Sequence, residues 1–133
     1  MSAAHFIFYV ADQRASTTFY THVLASSPRL DVPGMTEFAL GGDAVLGLMP
    51  EAGIRRLLGE ALADPASAGG VARAELYLLV NDPAAHHARA LEAGAAELSA
   101  LAPRDWGHDV AYTRDPDGHV LAFARESRGP TRD

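Results

Sequence analysis

His5-Phe6-Ile7-Phe8-Tyr9-Val10-Ala11-Asp12 and Glu75-Leu76-Tyr77-Leu78-Leu79-Val80-Asn81-Asp82 are two versions of one phrase, offset by 70 residues. Each opens on a side chain able to hold a metal, runs through a short apolar strand pattern and closes on Asp. A second pairing sets Thr36 to Glu51 against Asp109 to Glu126, with VLGLMPE over 45–51 matching VLAFARE over 120–126. An internal repeat outweighs local propensity as a guide to fold. Here the unit is about half the chain, which predicts two similar modules building one site between them.

Outward from the first phrase, Asp12 or Ser16 caps a helix, because a short side-chain oxygen can take a free helix amide. Phe19, Tyr20, Val23 and Leu24 form one helical face, and Ser26-Ser27-Pro28 ends it. Strands over 37–40 and 44–49 flank Gly41-Gly42-Asp43, a hairpin composition. Ile54, Leu57, Leu58, Ala61 and Leu62 repeat at helical spacing, so a short amphipathic helix is expected over 53–63. The stretch 64–70, rich in Ala, Pro, Ser and Gly, reads as a linker.

After the second phrase, Asp82-Pro83 is a helix start, with Asp as cap and Pro where a missing amide costs nothing. Gly94 is a C-terminal stop. A short strand over 97–101 follows, then strands over 109–113 and 119–124 around the turn Asp115-Pro116-Asp117-Gly118. From Glu126 the chain turns polar. The residues alone read β-α-β-β, a linker with a helix, then β-α-β-β-β.

Composition bounds the function. The chain has 133 residues, 48% of them hydrophobic, enough for one domain with a real core. Eleven basic against 17 acidic residues give a net charge of −6, with no basic cluster. This argues against nucleic acid and anionic membrane, which need a concentrated basic face. There is no cysteine, so disulfides, thiolate metal sites and cysteine nucleophiles are excluded. No secretory signal is visible, and no apolar run approaches the ~20 residues of a membrane span. The cytoplasm is the expected compartment.

HFIFYVAD at 5–12, FY at 19–20, RDWG at 104–107 and RDPDGHVL at 114–121 together resemble the glyoxalase / bleomycin-resistance / extradiol-dioxygenase (vicinal oxygen chelate) superfamily. The resemblance runs from His5 to about Arg125. It implies an α+β fold: two βαβββ modules, an internal duplication, forming a curled mixed sheet around a shared cavity, commonly in a homodimer. On that reading residues 1–126 are one domain, with module one over 4–51, a linker helix over 52–72, module two over 73–126 and a polar tail over 127–133.

Metal-dependent members of this superfamily draw ligands from four matched strand positions. These fall on His5, Gly47, Glu75 and Ala122. His5 and Glu75 can ligate; Gly47 and Ala122 cannot. A catalytic zinc site keeps three protein ligands, and a non-haem iron oxygenase site needs two His and one carboxylate. Among residues that might complete a set, His119 should point to the opposite face by strand alternation. Asp43 lies in a turn, and His86 and His87 diverge on their helix. His108 is the best third candidate. No catalytic residue is assigned. No metal or other cofactor is expected, a divalent metal being the alternative.

By alternation Ile7 and Tyr9 share a face with His5, and Tyr77 and Leu79 share one with Glu75. On the repeat alignment Val45 and Met49 join Gly47, while Val120 and Ala124 join Ala122. Phe6, Phe8, Val10, Leu76, Leu78 and Val80 then face the helices as core. The small residues at Gly47, Ala122 and Ala124 argue for open space on the inner face, because a packed core avoids voids. Trp106, the only Trp, offers a flat face to a planar or cationic ligand. Arg104 and Asp105 beside it can pair at the rim or equally be solvated surface. The ligand-binding set is therefore His5, Tyr9, Gly47, Met49, Glu75, Tyr77, Trp106 and Ala122.

The function this supports is binding of a small, partly apolar molecule without metal, as in antibiotic or toxin sequestration. The alternative is a metal-dependent lyase, isomerase or dioxygenase using His5, Glu75 and a third ligand. The expected partners are the small molecule and a second copy of the chain, with no nucleic acid and no membrane.

Overall fold

The computed structural model describes residues 1–128. The chain divides into two compact units, the first over Met1–Val71 and the second from Ala72 onward. Each is a βαβββ module with one four-stranded mixed sheet. The duplicated halves thus appear as two sheets of equal size.

The first unit runs β1 (Ala4–Val10), α1 (Gln13–Leu24), β2 (Leu30–Val32), β3 (Met35–Ala39) and β4 (Ala44–Pro50). The sheet order is β1-β4-β3-β2, with β1 parallel to β4 and the other pairs antiparallel. Asp12 is the cap of α1: its side chain accepts from the Ala15 amide at 3.0 Å. The helix stops on Ala25, in the left-handed region at φ 51°, one residue before the expected Ser-Ser-Pro stop. Phe19, Tyr20 and Val23 are buried, with Phe8 and Phe38 packed about the Tyr20 ring. Burying a side chain of this kind contributes roughly 1.5–3 kcal/mol. Phe6 departs from the expected core: it is 51% exposed. Its strand is the sheet edge, and α1 lies over β4 and β3 instead.

The residue pattern missed β2. It is three exposed residues, Leu30-Asp31-Val32, too short for an alternation to be read. It is held by pairing with β3 and by Gln13, whose side chain donates to Val32 O at 2.8 Å and accepts from the Gly34 amide at 3.0 Å. The expected helix over 53–63 is divided into α2 (Glu51–Leu58) and a 3-10 turn over Gly59–Ala61, because Gly59 takes a positive φ of 56°. A second 3-10 turn spans Pro65–Ala68.

The second unit runs β5 (Glu75–Leu79), α3 (Pro83–Glu92), β6 (Ala96–Pro103), β7 (His108–Arg114) and β8 (Val120–Glu126). Its order is β5-β8-β7-β6, with β5 parallel to β8. Asp82 caps α3 as Asp12 caps α1, accepting from the Ala85 amide at 3.1 Å, with Pro83 in the first turn. Strand β6 is longer than expected and carries two register shifts, between Glu97 and Ser99 and between Ser99 and Ala102. Of the expected polar tail, Ser127 is tied down: its amide donates to Gly107 O at 2.9 Å and its hydroxyl to Asp109 Oδ1 at 2.7 Å. Residues 129–133 lie outside the described residues.

Candidate functional site

In the first unit, strand pairing sets His5 beside Val45, Ile7 beside Gly47 and Tyr9 beside Met49. Glu37 on β3 pairs with Gly47 from the other side. His5 Nδ1 lies 3.5 Å from Glu37 Oε2. The other Glu37 oxygen accepts from Arg29, at 3.0 Å from Nε and 2.9 Å from Nη2. A His–carboxylate–Arg row therefore stands on this face. Sequence reasoning missed Glu37, although alternation from Gly47 across the hairpin would have marked it.

Gly47 is not an opening. A Cβ built there would meet Ile7 Cγ1 at 3.0 Å and Met35 Sδ at 3.2 Å. Neighbouring side chains have taken the room that the missing side chain leaves, which corrects the expectation of free space. Met49 is half-buried, and its methyl end lies 3.7 Å from a Cβ built at Gly53, at the start of α2.

In the second unit, Tyr77 pairs with Ala122, and Ala122 with Tyr112 on its other side. Val110, Ala122 and Ala124 are fully buried, with the Tyr77 and Tyr112 rings packed on them. Here too the small residues leave no hollow; they seat two aromatic rings. Glu75 stands exposed at the start of β5.

The segment Arg104–Gly107 is the turn between β6 and β7. It closes through Arg104 N to His108 O at 2.8 Å and Gly107 N to Arg104 O at 3.3 Å. Gly107 adopts φ +90°, which side chains beyond glycine rarely take. This turn places Trp106 at the end of the sheet, where its indole Nε1 donates to Tyr77 Oη at 3.0 Å. Tyr77 Oη is 2.6 Å from His108 Nδ1. Trp106 keeps 56% of its surface exposed. Trp106, Tyr77 and His108 thus form one hydrogen-bonded chain. The first two were expected as ligand contacts and His108 as a third metal ligand.

Arg104 does not pair with Asp105. Its Nη2 lies 2.9–3.0 Å from Ser99 Oγ, Ala100 O and Val110 O, and its guanidinium carbon sits 5.3 Å from the Tyr112 ring centre. Two strand carbonyls, a hydroxyl and an aromatic face outcompete a solvated carboxylate. Its Nε is buried without a hydrogen-bond partner among the described residues. Burial raises the Tyr112 hydroxyl pKa, helped by the Glu75 and Tyr77 charges and opposed by Arg104. Asp109 is shifted the other way, chiefly by the Ser127 hydrogen bond and then by Arg125.

Of the four positions that the family resemblance marks for metal ligands, two in separate units carry no ligand atom. Gly47 and Ala122 offer no donor atom, and each is covered by neighbouring side chains. In the first unit the carboxylate nearest His5 is already held by Arg29. Among the described residues of each unit, the one cluster with three ligand atoms within 4.8 Å is Asp115, Asp117 and His119. Asp115 there accepts the amides of Asp117 and His119 at 2.9 and 2.8 Å and faces His119 Nδ1 at 3.0 Å. Those bonds hold the turn before β8. His86 and His87 are likewise engaged, His86 against the Phe123 ring and His87 Nε2 with Glu97 Oε2 at 2.8 Å.

Comparison with protein families matches residues 2–123 to the Glyoxalase/Bleomycin resistance protein/Dioxygenase superfamily. Comparison with curated proteins finds no match. Among solved structures, a glyoxalase-related enzyme from Fulvimarina pelagi is 21% identical with a TM-score of 0.78, over 92% of this chain and 86% of that one. A glyoxalase/bleomycin resistance protein/dioxygenase from Nocardioides is 20% identical with a TM-score of 0.73, over 98% and 86%. A family enzyme from Burkholderia phytofirmans PsJN is 18% identical with a TM-score of 0.74, over 95% and 98%. At these identities the likeness speaks for the fold alone.

Proposed function

This chain belongs to the glyoxalase/bleomycin resistance protein/dioxygenase superfamily, and from that premise we propose that it binds a small, partly apolar molecule without a metal ion. The supporting observation is that two of the four family ligand positions, Gly47 and Ala122, hold no donor and are packed over by Ile7, Met35, Tyr77 and Tyr112. What each unit offers instead is aromatic surface and a few polar groups: Tyr9 and His5 in the first unit, Tyr77, Trp106 and Glu75 in the second. That mixture suits recognition of an organic ligand by stacking and hydrogen bonds. Sequestration of an antibiotic or toxin is the activity we assign to it.

We assign a homodimeric state as well. Phe6 and Ile7 on the edge strand β1 and Leu79 on the edge strand β5 are exposed apolar side chains that a second copy would cover. The chain has no cysteine, so nothing in it requires an oxidising compartment, and we place it in the cytoplasm. Among the described residues no helix is long and apolar enough to cross a membrane.

A thermal-shift screen on chelator-treated protein tests the reading. A ligand at 100 times its Kd stabilises the folded state by about 2.7 kcal/mol. The reading expects hits whose shifts persist after chelation. Shifts that vanish with chelator and return with added metal would contradict it.

A further inference from the structure

Arg56 and Glu60 are four residues apart, the spacing at which opposite charges meet on a continuous helix. Here they do not meet. Gly59 takes φ 56° and ψ −135°, ends α2 and hands Glu60 to the following 3-10 turn. Neither Arg56 nor Glu60 has an ion pair or hydrogen bond among the described residues. A groove of about 410 Å³ opens beside them, lined by Ala52, Arg55, Arg56, Gly59, Glu60 and Leu62. Ala52, Arg55, Arg56 and Gly59 stand at the spacing of one helix face. A Cβ built on Gly59 meets no atom within 4 Å, so the groove is open there. Arg55 is already committed, with Nη1 at 3.2 Å from Asp64 Oδ2. One positive and one negative charge are therefore left unspent on the lining, with Ala52 and Leu62 as its apolar part.

We propose that this groove of the first unit binds a small zwitterion with an aliphatic body, the chemistry of a free aliphatic amino acid. The carboxylate goes to Arg56, the ammonium to Glu60 and the side chain over Ala52 and Leu62. The site is separate from the strand faces described above, so it stands or falls independently of the metal-free reading. Its volume lies within the roughly 300–1,000 Å³ of small-molecule sites. With Arg55 offset by Asp64, the unspent charges sum to zero. A ligand with one charge gains one partner and is repelled by the other, whereas a zwitterion satisfies both. A guanidinium also matches a carboxylate through two parallel hydrogen bonds. Each exposed pair contributes only about 0.2–1 kcal/mol, so useful affinity needs both charges together with the apolar contact.

Leucine, 3-methylbutylamine and 4-methylpentanoate share one aliphatic body and carry both charges, the ammonium alone and the carboxylate alone. Each is titrated at neutral pH into the full chain with 15N label, and the Gly59 amide signal is followed. Leucine should displace that signal and bind about fivefold tighter than either analogue, the value of one surface ion pair of ~1 kcal/mol. Arg56→Gln should remove the advantage over 3-methylbutylamine, and Glu60→Gln the advantage over 4-methylpentanoate. Both positions are exposed, so neither change disturbs the core. Exchanging the charges, Arg56→Glu with Glu60→Arg, should recover the leucine preference that each single change removes. An unmoved Gly59 signal, equal binding of the three probes, or a leucine preference that survives either single change would overturn the site.

Discussion

Tyr77 on β5 and His108 on β7 share a 2.6 Å hydrogen bond although β8 runs between their strands. The reach is possible because β8 presents Ala122 and Ala124 on that face, and the Tyr77 ring packs on them. Larger residues there would lift the ring and break the bond. What the family uses as a ligand position is here a seat for an aromatic side chain.

Tyr77→Phe removes the oxygen that both Trp106 and His108 use. Two partly exposed hydrogen bonds are lost, at about 0.5–1.5 kcal/mol each. We expect a drop in stability of roughly 1–2 kcal/mol and faster solvent exchange of the Trp106 indole proton, measured by denaturant titration and NMR. An unchanged exchange rate would mean that Tyr77 does not hold Trp106.

Gly47→Ala tests whether the space over Gly47 is filled. The new methyl would lie 3.0 Å from Ile7 Cγ1 and 3.2 Å from Met35 Sδ. Overpacking of this kind costs typically 1–3 kcal/mol, here toward the low end because Ile7 is 43% exposed and can yield. Adding Ile7→Ala should make the pair cost less than the two single changes together. Strict additivity would show that Ile7 does not close the site.

Asp12→Ala and Asp82→Ala remove equivalent caps in the two units, each a side chain accepting the amide three residues on. Each should cost about 1 kcal/mol, and the Asn variants far less. A cost confined to one position would show that the two caps are not equivalent.

Tyr112 gives a pH signature. Its folded-state pKa lies above the ordinary 10.0, first because burial disfavours the phenolate and then because Glu75 and Tyr77 repel it. A raised folded pKa means the contribution is fully present below about pH 10 and is lost as pH rises through the folded value. Alkaline melts should show stability falling above pH 10, and Tyr112→Phe should flatten that fall. Equal slopes for the two proteins would contradict the assignment.

Much of this was legible from residues alone. The repeat of HFIFYVAD in ELYLLVND located β1 and β5; Asp82 marked the cap of α3, and of the two candidates for α1, Asp12 and Ser16, the cap is Asp12. Strand β2 was illegible because three residues, Leu30-Asp31-Val32, are too few for an alternation to be told from chance. The space argued from Gly47 and Ala122 failed because small residues show only that a side chain is missing, and packing decides what fills the gap. Glu37 could have been placed beside Gly47 from the hairpin register, but its tie to Arg29 carries no sequence pattern. The chain through Trp106, Tyr77 and His108 could not be read either: the aromatics were visible, but the turn at Gly107 that swings Trp106 onto Tyr77 was not.

The central claim is that ligand binding here needs no metal ion, and elemental analysis of protein purified without chelator tests it most directly. The account predicts well under one equivalent of zinc, iron, nickel or manganese per chain, unchanged by His5→Ala. One tightly held equivalent that disappears in His5→Ala would contradict it and return the protein to the metal-dependent branch of its family.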